Sequence, residues 1–125
     1  MKAKNVDPPR KFKVGLSEEI EISHCANITL EPNEQVTFVT NSGTEYDVAR
    51  KEWGYYATPS TNERLSNHNL RTALVINNAF KLYVMLCENG KEEEFERYLR
   101  KENQKLLIWL DKDSQVRALM DFIDQ

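Results

Sequence analysis

Phe12, Val14 and Leu16 alternate with polar residues. Ile20, Ile22, Ala26, Ile28 and Leu30 do the same over a longer run, with His24 on their face by the period of two. That alternation predicts two strands, the second long enough to bend. Glu31-Pro32-Asn33-Glu34 puts a proline where a type I turn accepts it, and residues 35–40 resume as a strand rich in β-branched and aromatic side chains. Asn41-Ser42-Gly43 predicts a turn, and residues 44–48 another strand. Leu74, Val75 and Ile76 and the run 80–86 flank Asn77-Asn78-Ala79, which predicts a hairpin in which asparagine supplies the positive φ.

At Asn89-Gly90 the pattern changes. Phe95, Tyr98 and Leu99 share one helical face over 91–103, with Glu92, Glu93 and Glu94 in the first turn and Arg97, Arg100 and Lys101 near the end, as the helix dipole favours. Residues 105–110 form a short apolar run that reads as a buried strand. Asp113 or Ser114 is placed to cap a last helix striped by Val116, Leu119, Met120 and Ile123. Strands first and helices late argue for an α+β domain: a curled, mainly antiparallel sheet of about six strands with two C-terminal helices. Partial closure into a barrel is the alternative for short strands with tight turns.

The segment 49–69 fits neither period. It holds Trp53, Gly54, Tyr55, Tyr56 and Pro59, then a polar run ending in Asn67-His68-Asn69. A connection of more than roughly 12–15 residues without its own structure is usually functional or disordered, and clustered large aromatics argue against disorder. Trp53, Tyr55 and Tyr56 offer flat apolar faces with hydrogen-bonding edges. Arg64 and Arg71 offer planar forks of donors for a phosphate or carboxylate, and His68, with Asn62, Asn67 and Asn69, offers further polar contacts. Trp53, Tyr55, Tyr56, Arg64, His68 and Arg71 are therefore the candidate ligand-binding residues. The competing reading is that the aromatics lock the loop onto its own sheet.

Composition narrows the classes. A chain of 125 residues fits one domain, and a net charge of −3 does not call for a polyanionic partner. Lys2, Lys4, Arg10, Lys11 and Lys13 make the N-terminus basic, and residues 1–10 read as a loose tail. Cys25 and Cys87 lie in apolar strand-like stretches, so both read as small buried hydrophobes rather than as a disulfide or a nucleophile. No apolar run approaches the ~20 residues of a membrane span, and no secretory leader is visible, so the expected setting is cytoplasmic, without a membrane.

Chemistry is sparse. Close-spaced metal ligands, a nucleophile elbow, a phosphate loop and a dinucleotide fingerprint are all missing, so no cofactor and no metal are expected. Nucleic acid is disfavoured because the aromatics are not interleaved with a positive excess. What remains is a non-catalytic binding module for a small polar ligand, sugar- or nucleotide-like, or for a protein partner. The alternative is a small metal-independent enzyme acting on a sugar or sugar-nucleotide, with Glu45 or Asp47 as base and Tyr55, Tyr56 or His68 as proton donor. Homo-oligomerisation is a further expectation, through an exposed edge such as residues 11–16.

Overall fold

Lys2–Val14 (β1) and Ile20–Thr29 (β2) pair antiparallel in a ribbon of their own, seen in a computed structural model that describes residues 1–125. Gln35–Val39 (β3), Glu45–Lys51 (β4) and Gly54–Tyr56 (β5) form a second sheet in that order. The third sheet comprises Leu70–Asn77 (β6), Leu82–Glu88 (β7) and Gln104–Trp109 (β8), in the order β7-β6-β8. The helices are Arg64–Asn67 (α1), Glu92–Lys101 (α2) and Asp113–Ile123 (α3). The architecture is thus α+β with antiparallel pairing. It has eight strands in three sheets rather than about six in one, and none closes into a barrel.

The chain divides into two units, Met1–Val36 with Val48–Ala57 and Thr37–Asp47 with Thr58–Gln125, the boundary falling within β3 and β4. In the first unit the expected N-terminal tail is strand. Lysine and arginine are no bar to a ribbon when each faces water beside a polar partner, and Lys2, Lys4, Lys11 and Lys13 lie opposite Thr29, Asn27, Ser23 and Glu21. The register shifts between Asn5 and Arg10, where Pro8 and Pro9 have no N–H to donate to the ladder. The bend at 31–34 differs in type from the expectation. Glu34 N–H donates to Glu31 O at 3.1 Å, but Asn33 takes φ +68°, which makes the turn type II.

In the second unit β6 is the central strand, with β7 and β8 both antiparallel to it and so parallel to each other through α2. Ala73 and Val75 are fully buried and meet Leu99 of α2, with Met85, Phe95, Leu106 and Trp109 packed around them. The alternate positions Leu70 and Thr72 point to the other face, and α1, whose Leu65 is fully buried, packs against β6. The hairpin between β6 and β7 is present, but its positive φ falls on Phe80 (+64°). Asn77 instead uses its side-chain oxygen to accept from Ala79 and Lys81 N–H at 2.9 Å. The start of α3 also differs: neither Asp113 nor Ser114 caps it, and Gln115 reaches back to accept from Lys112 N–H at 2.9 Å. No residue of α3 is fully buried: Val116 and Leu119 are half-buried, whereas Met120 and Ile123 are exposed.

Candidate functional site

The segment read as a loop over 49–69 contains the end of β4, all of β5 and α1. β4 and β5 pair with Lys51 opposite Gly54, Arg50 opposite Tyr55 and Ala49 opposite Tyr56. Glu52 and Trp53 make the turn, and Gly54 completes it at φ +143°, a conformation that a side chain disfavours. The hairpin base is held rigidly. Arg50 exchanges backbone bonds with Asn33 (2.7 Å) and Glu34 (2.9 Å), its guanidinium donates to Leu30 O (3.0 Å), and Lys51 Nζ donates to Asn33 Oδ1 (2.7 Å). On this base the aromatic side chains stand out. Trp53 is 72% exposed, Tyr55 60% and Tyr56 50%, so none of them locks the hairpin to its sheet.

Arg64, His68 and Arg71 belong to the second unit, and each is already engaged there. Asp47 accepts from Arg64 Nε at 2.9 Å and from Thr37 Oγ1 at 2.7 Å. Those donors, the Arg64 bond first, hold the Asp47 carboxyl below the usual carboxylate range. His68 Nδ1 lies 2.7 Å from Glu45 Oε2, while its Nε2 is in close contact with the Arg64 guanidinium. Because a guanidinium can only donate, this fits a tautomer with Nδ1–H donating to Glu45 and Nε2 accepting from Arg64. Glu45 and Asp47, on one strand face by the period of two, thus converge on one cation, while His68 spends both ring nitrogens. A base with a lowered pKa and an imidazole with no free edge are poorly suited to acid-base work near neutral pH.

Arg71, from β6, donates side-on to Asp111 through Nε (3.1 Å) and Nη2 (3.4 Å), and its guanidinium lies 4.0 Å from the centre of the Trp109 ring. Glu92 stands at 4.0 Å on its remaining side. A cavity of about 330 Å³ opens beside this cluster, lined by Asn69, Arg71, Asn89, Asp111 and Lys112 among others. A second cavity of about 250 Å³ shares Asn69 and Asn89 and adds Ser42, Thr44, Glu88 and Lys91. Glu88 accepts from the Ser42 hydroxyl and from Thr40 Oγ1 (2.8 Å), and these bonds lower its pKa. Both cavities offer hydroxyl, amide and charged groups, and the first is lined mainly by polar surface, which suits a small polar molecule rather than a hydrophobic one.

The sequence reading named Asn69 and Arg71 but missed Glu88, Asn89, Asp111 and Lys112, which arrive from the ends of β7 and β8. Only the antiparallel pairing of both strands with β6 brings these ends together, and Asn89 N–H donating to Asn69 O at 2.8 Å closes one side. No trio of His, Cys, Asp or Glu side chains converges as a metal-binding group. Compared with protein-family models, curated proteins and solved structures, the chain matches none.

Proposed function

We propose that the protein is a non-catalytic binding module that engages a protein partner through Trp53, Tyr55 and Tyr56. The observation that carries this reading is the half or greater exposure of all three on a hairpin whose base is fixed by backbone bonds and by Arg50 and Lys51. Aromatics held rigid and wet lose little side-chain entropy on docking and bury large area, which is why Trp and Tyr dominate interface hot spots. β5 is also a short strand at the edge of its sheet, open to backbone pairing from a partner.

The paired cavities around Asn69 and Asn89 favour a second reading, a small polar ligand such as a sugar or nucleotide held by amide and ammonium donors. The enzymatic alternative through Glu45, Asp47 and His68 has less support, since the Arg64 bridge occupies those groups. Trp53 itself supplies the test. Its fluorescence should be red-shifted and open to iodide quenching in the free protein, and Trp53→Ala with Tyr56→Ala should abolish partner binding while leaving the melting temperature within a few degrees of wild type. Collapse of the fold in that double variant would return the aromatics to a structural role. Thermal stabilisation by a sugar or nucleotide that survives Trp53→Ala but is lost in Asn89→Ala would move the function to the polar cavities.

A further inference from the structure

The chain leaves α1, β7 and β8 at one end of the third sheet, and each exit brings polar side chains there. Asn69 takes φ +65°, a left-handed conformation that asparagine tolerates, and its carbonyl accepts from Asn89 N–H at 2.8 Å. Leu110, just before Asp111 and Lys112, is fixed from both sides: its N–H donates to Thr72 O at 2.8 Å, and its carbonyl accepts from Thr61 Oγ1 at 2.7 Å. The walls of the two cavities that share Asn69 and Asn89 are therefore set by bonds of the chain itself, which lowers the cost of ordering them around a ligand. The groups left uncommitted decide what fits. Asp111 is taken by Arg71, and Glu88 by Ser42 and Thr40. The side chains of Ser66, Asn69 and Asn89 form no hydrogen bond within the chain. The lining cations differ in the same way. Arg71 faces Asp111 and Glu92, Lys91 stands 3.8 Å from Glu94, and Lys112 forms no ion pair.

We infer that these adjoining cavities bind a monosaccharide-sized hydroxylated anion, a sugar acid or a sugar phosphate, with its acid group on Lys112 and its hydroxyls on Asn69 and Asn89. This rests on the polar-cavity reading, not on the aromatic hairpin, and narrows it by size, ring and charge. Volumes of about 330 and about 250 Å³ lie at the small end of ligand sites, which suits a single sugar ring better than a dinucleotide. No aromatic side chain lines either cavity, so a nucleobase has no ring to stack on. An asparagine amide both donates and accepts, as a sugar hydroxyl does, so two amides side by side match a pair of neighbouring hydroxyls. The charges point the same way. Both lining carboxylates already accept from donors of the chain, which leaves an amine without its natural partner. Lys112 is the cation still unpaired, and an acid group gives it a charge-assisted bond.

Titration of the full chain with glucuronate, a hexose phosphate, glucose and inorganic phosphate, followed by amide chemical shifts, tests this. Both sugar anions should move the Asn69, Asn89 and Lys112 signals, and glucose should bind about tenfold more weakly than either for want of the charged contact. Lys112→Ala should erase that preference, and Asn89→Ala should weaken every sugar alike. Trp53→Ala should change nothing, which separates this site from the aromatic hairpin. The amide spectrum of each variant shows directly whether it remains folded, and the tighter of the two sugar anions names the acid group. Glucose bound as tightly as glucuronate, with binding lost in Asn89→Ala but indifferent to Lys112→Ala, would keep the cavities as a ligand site and overturn the anion. Inorganic phosphate bound as tightly as the hexose phosphate would overturn the sugar. Unmoved Asn69 and Asn89 signals with every compound would sink the cavity reading itself, and this inference with it.

Discussion

Asp47 and Thr72 show how differently two polar side chains can serve one unit. Asp47, 13% exposed, has its carboxylate satisfied by Arg64 and Thr37. Its pKa lies lower in the folded protein than in the unfolded chain, so the folded state is favoured fully above the ordinary carboxylate range. That advantage fades as pH falls through the lowered value. Asp47→Asn should cost about 1 kcal/mol at pH 7, since the Arg64 side chain is 38% exposed and the pair is partly screened. The gap between variant and wild type in urea titrations should narrow as the pH falls below the ordinary carboxylate range. A gap that does not narrow with falling pH would show that the carboxylate matters by shape alone. Thr72 is 1% exposed and its hydroxyl has no partner. Thr72→Val keeps the shape and removes the stranded group, so it should be neutral or raise stability by up to about 1 kcal/mol. Phe80, 87% exposed at φ +64°, has a conformation that sequence reading assigned to its asparagine neighbours. Asn77 accepts two backbone bonds instead, and the positive φ passes to the residue that follows them.

Among the elements, the strands and the two long helices lie close to where periodicity puts them, because burial against a neighbour selects the same alternation that the sequence displays. The exceptions are instructive. Cys25, expected in a core, is exposed and donates weakly to Ser23 O. It sits between His24 and Ala26, so the period of two turns it to the charged side of the ribbon, and apolar neighbours in sequence are not neighbours across a strand. Cys87, by contrast, is buried, and burial raises its thiol pKa, with Glu92 adding to the effect. α2 and α3 both carry an apolar stripe in sequence, yet α2 buries Leu99 while α3 only half-buries Val116 and Leu119 and leaves Ile123 67% exposed. Hydrogen exchange should therefore rank them apart, with β6 slowest, α2 close behind, and the second half of α3 exchanging near the rate of local fraying. Protection in α3 equal to that in β6 would mean that something outside the chain covers its stripe. No helix is long and apolar enough to cross a membrane.

For the molecule as a whole, the α+β class, the antiparallel pairing and the late position of the longer helices were legible in the chain. Each follows from local period and turn chemistry, and neither depends on partners far away in sequence. How many sheets those strands make was not legible, because a strand's alternation states that one face is covered but not by what. The ribbon alternates as regularly as β6 yet forms a two-stranded sheet of its own. The candidate site divides along the same line. Sequence alone marked Trp53, Tyr55 and Tyr56, since aromatics are conspicuous wherever a segment lacks a period, and it marked Arg64, His68 and Arg71 as chemically capable. Tertiary structure decided that the aromatics stand in solvent, while the three basic residues are spent on Glu45, Asp47 and Asp111. It also brought Asn89, Asp111 and Lys112 to Asn69 and Arg71. The physical reason is range: dihedral preference and burial period act over a few residues and are written locally, whereas the pairing of a charge is settled by whichever opposite charge the strand register delivers to it.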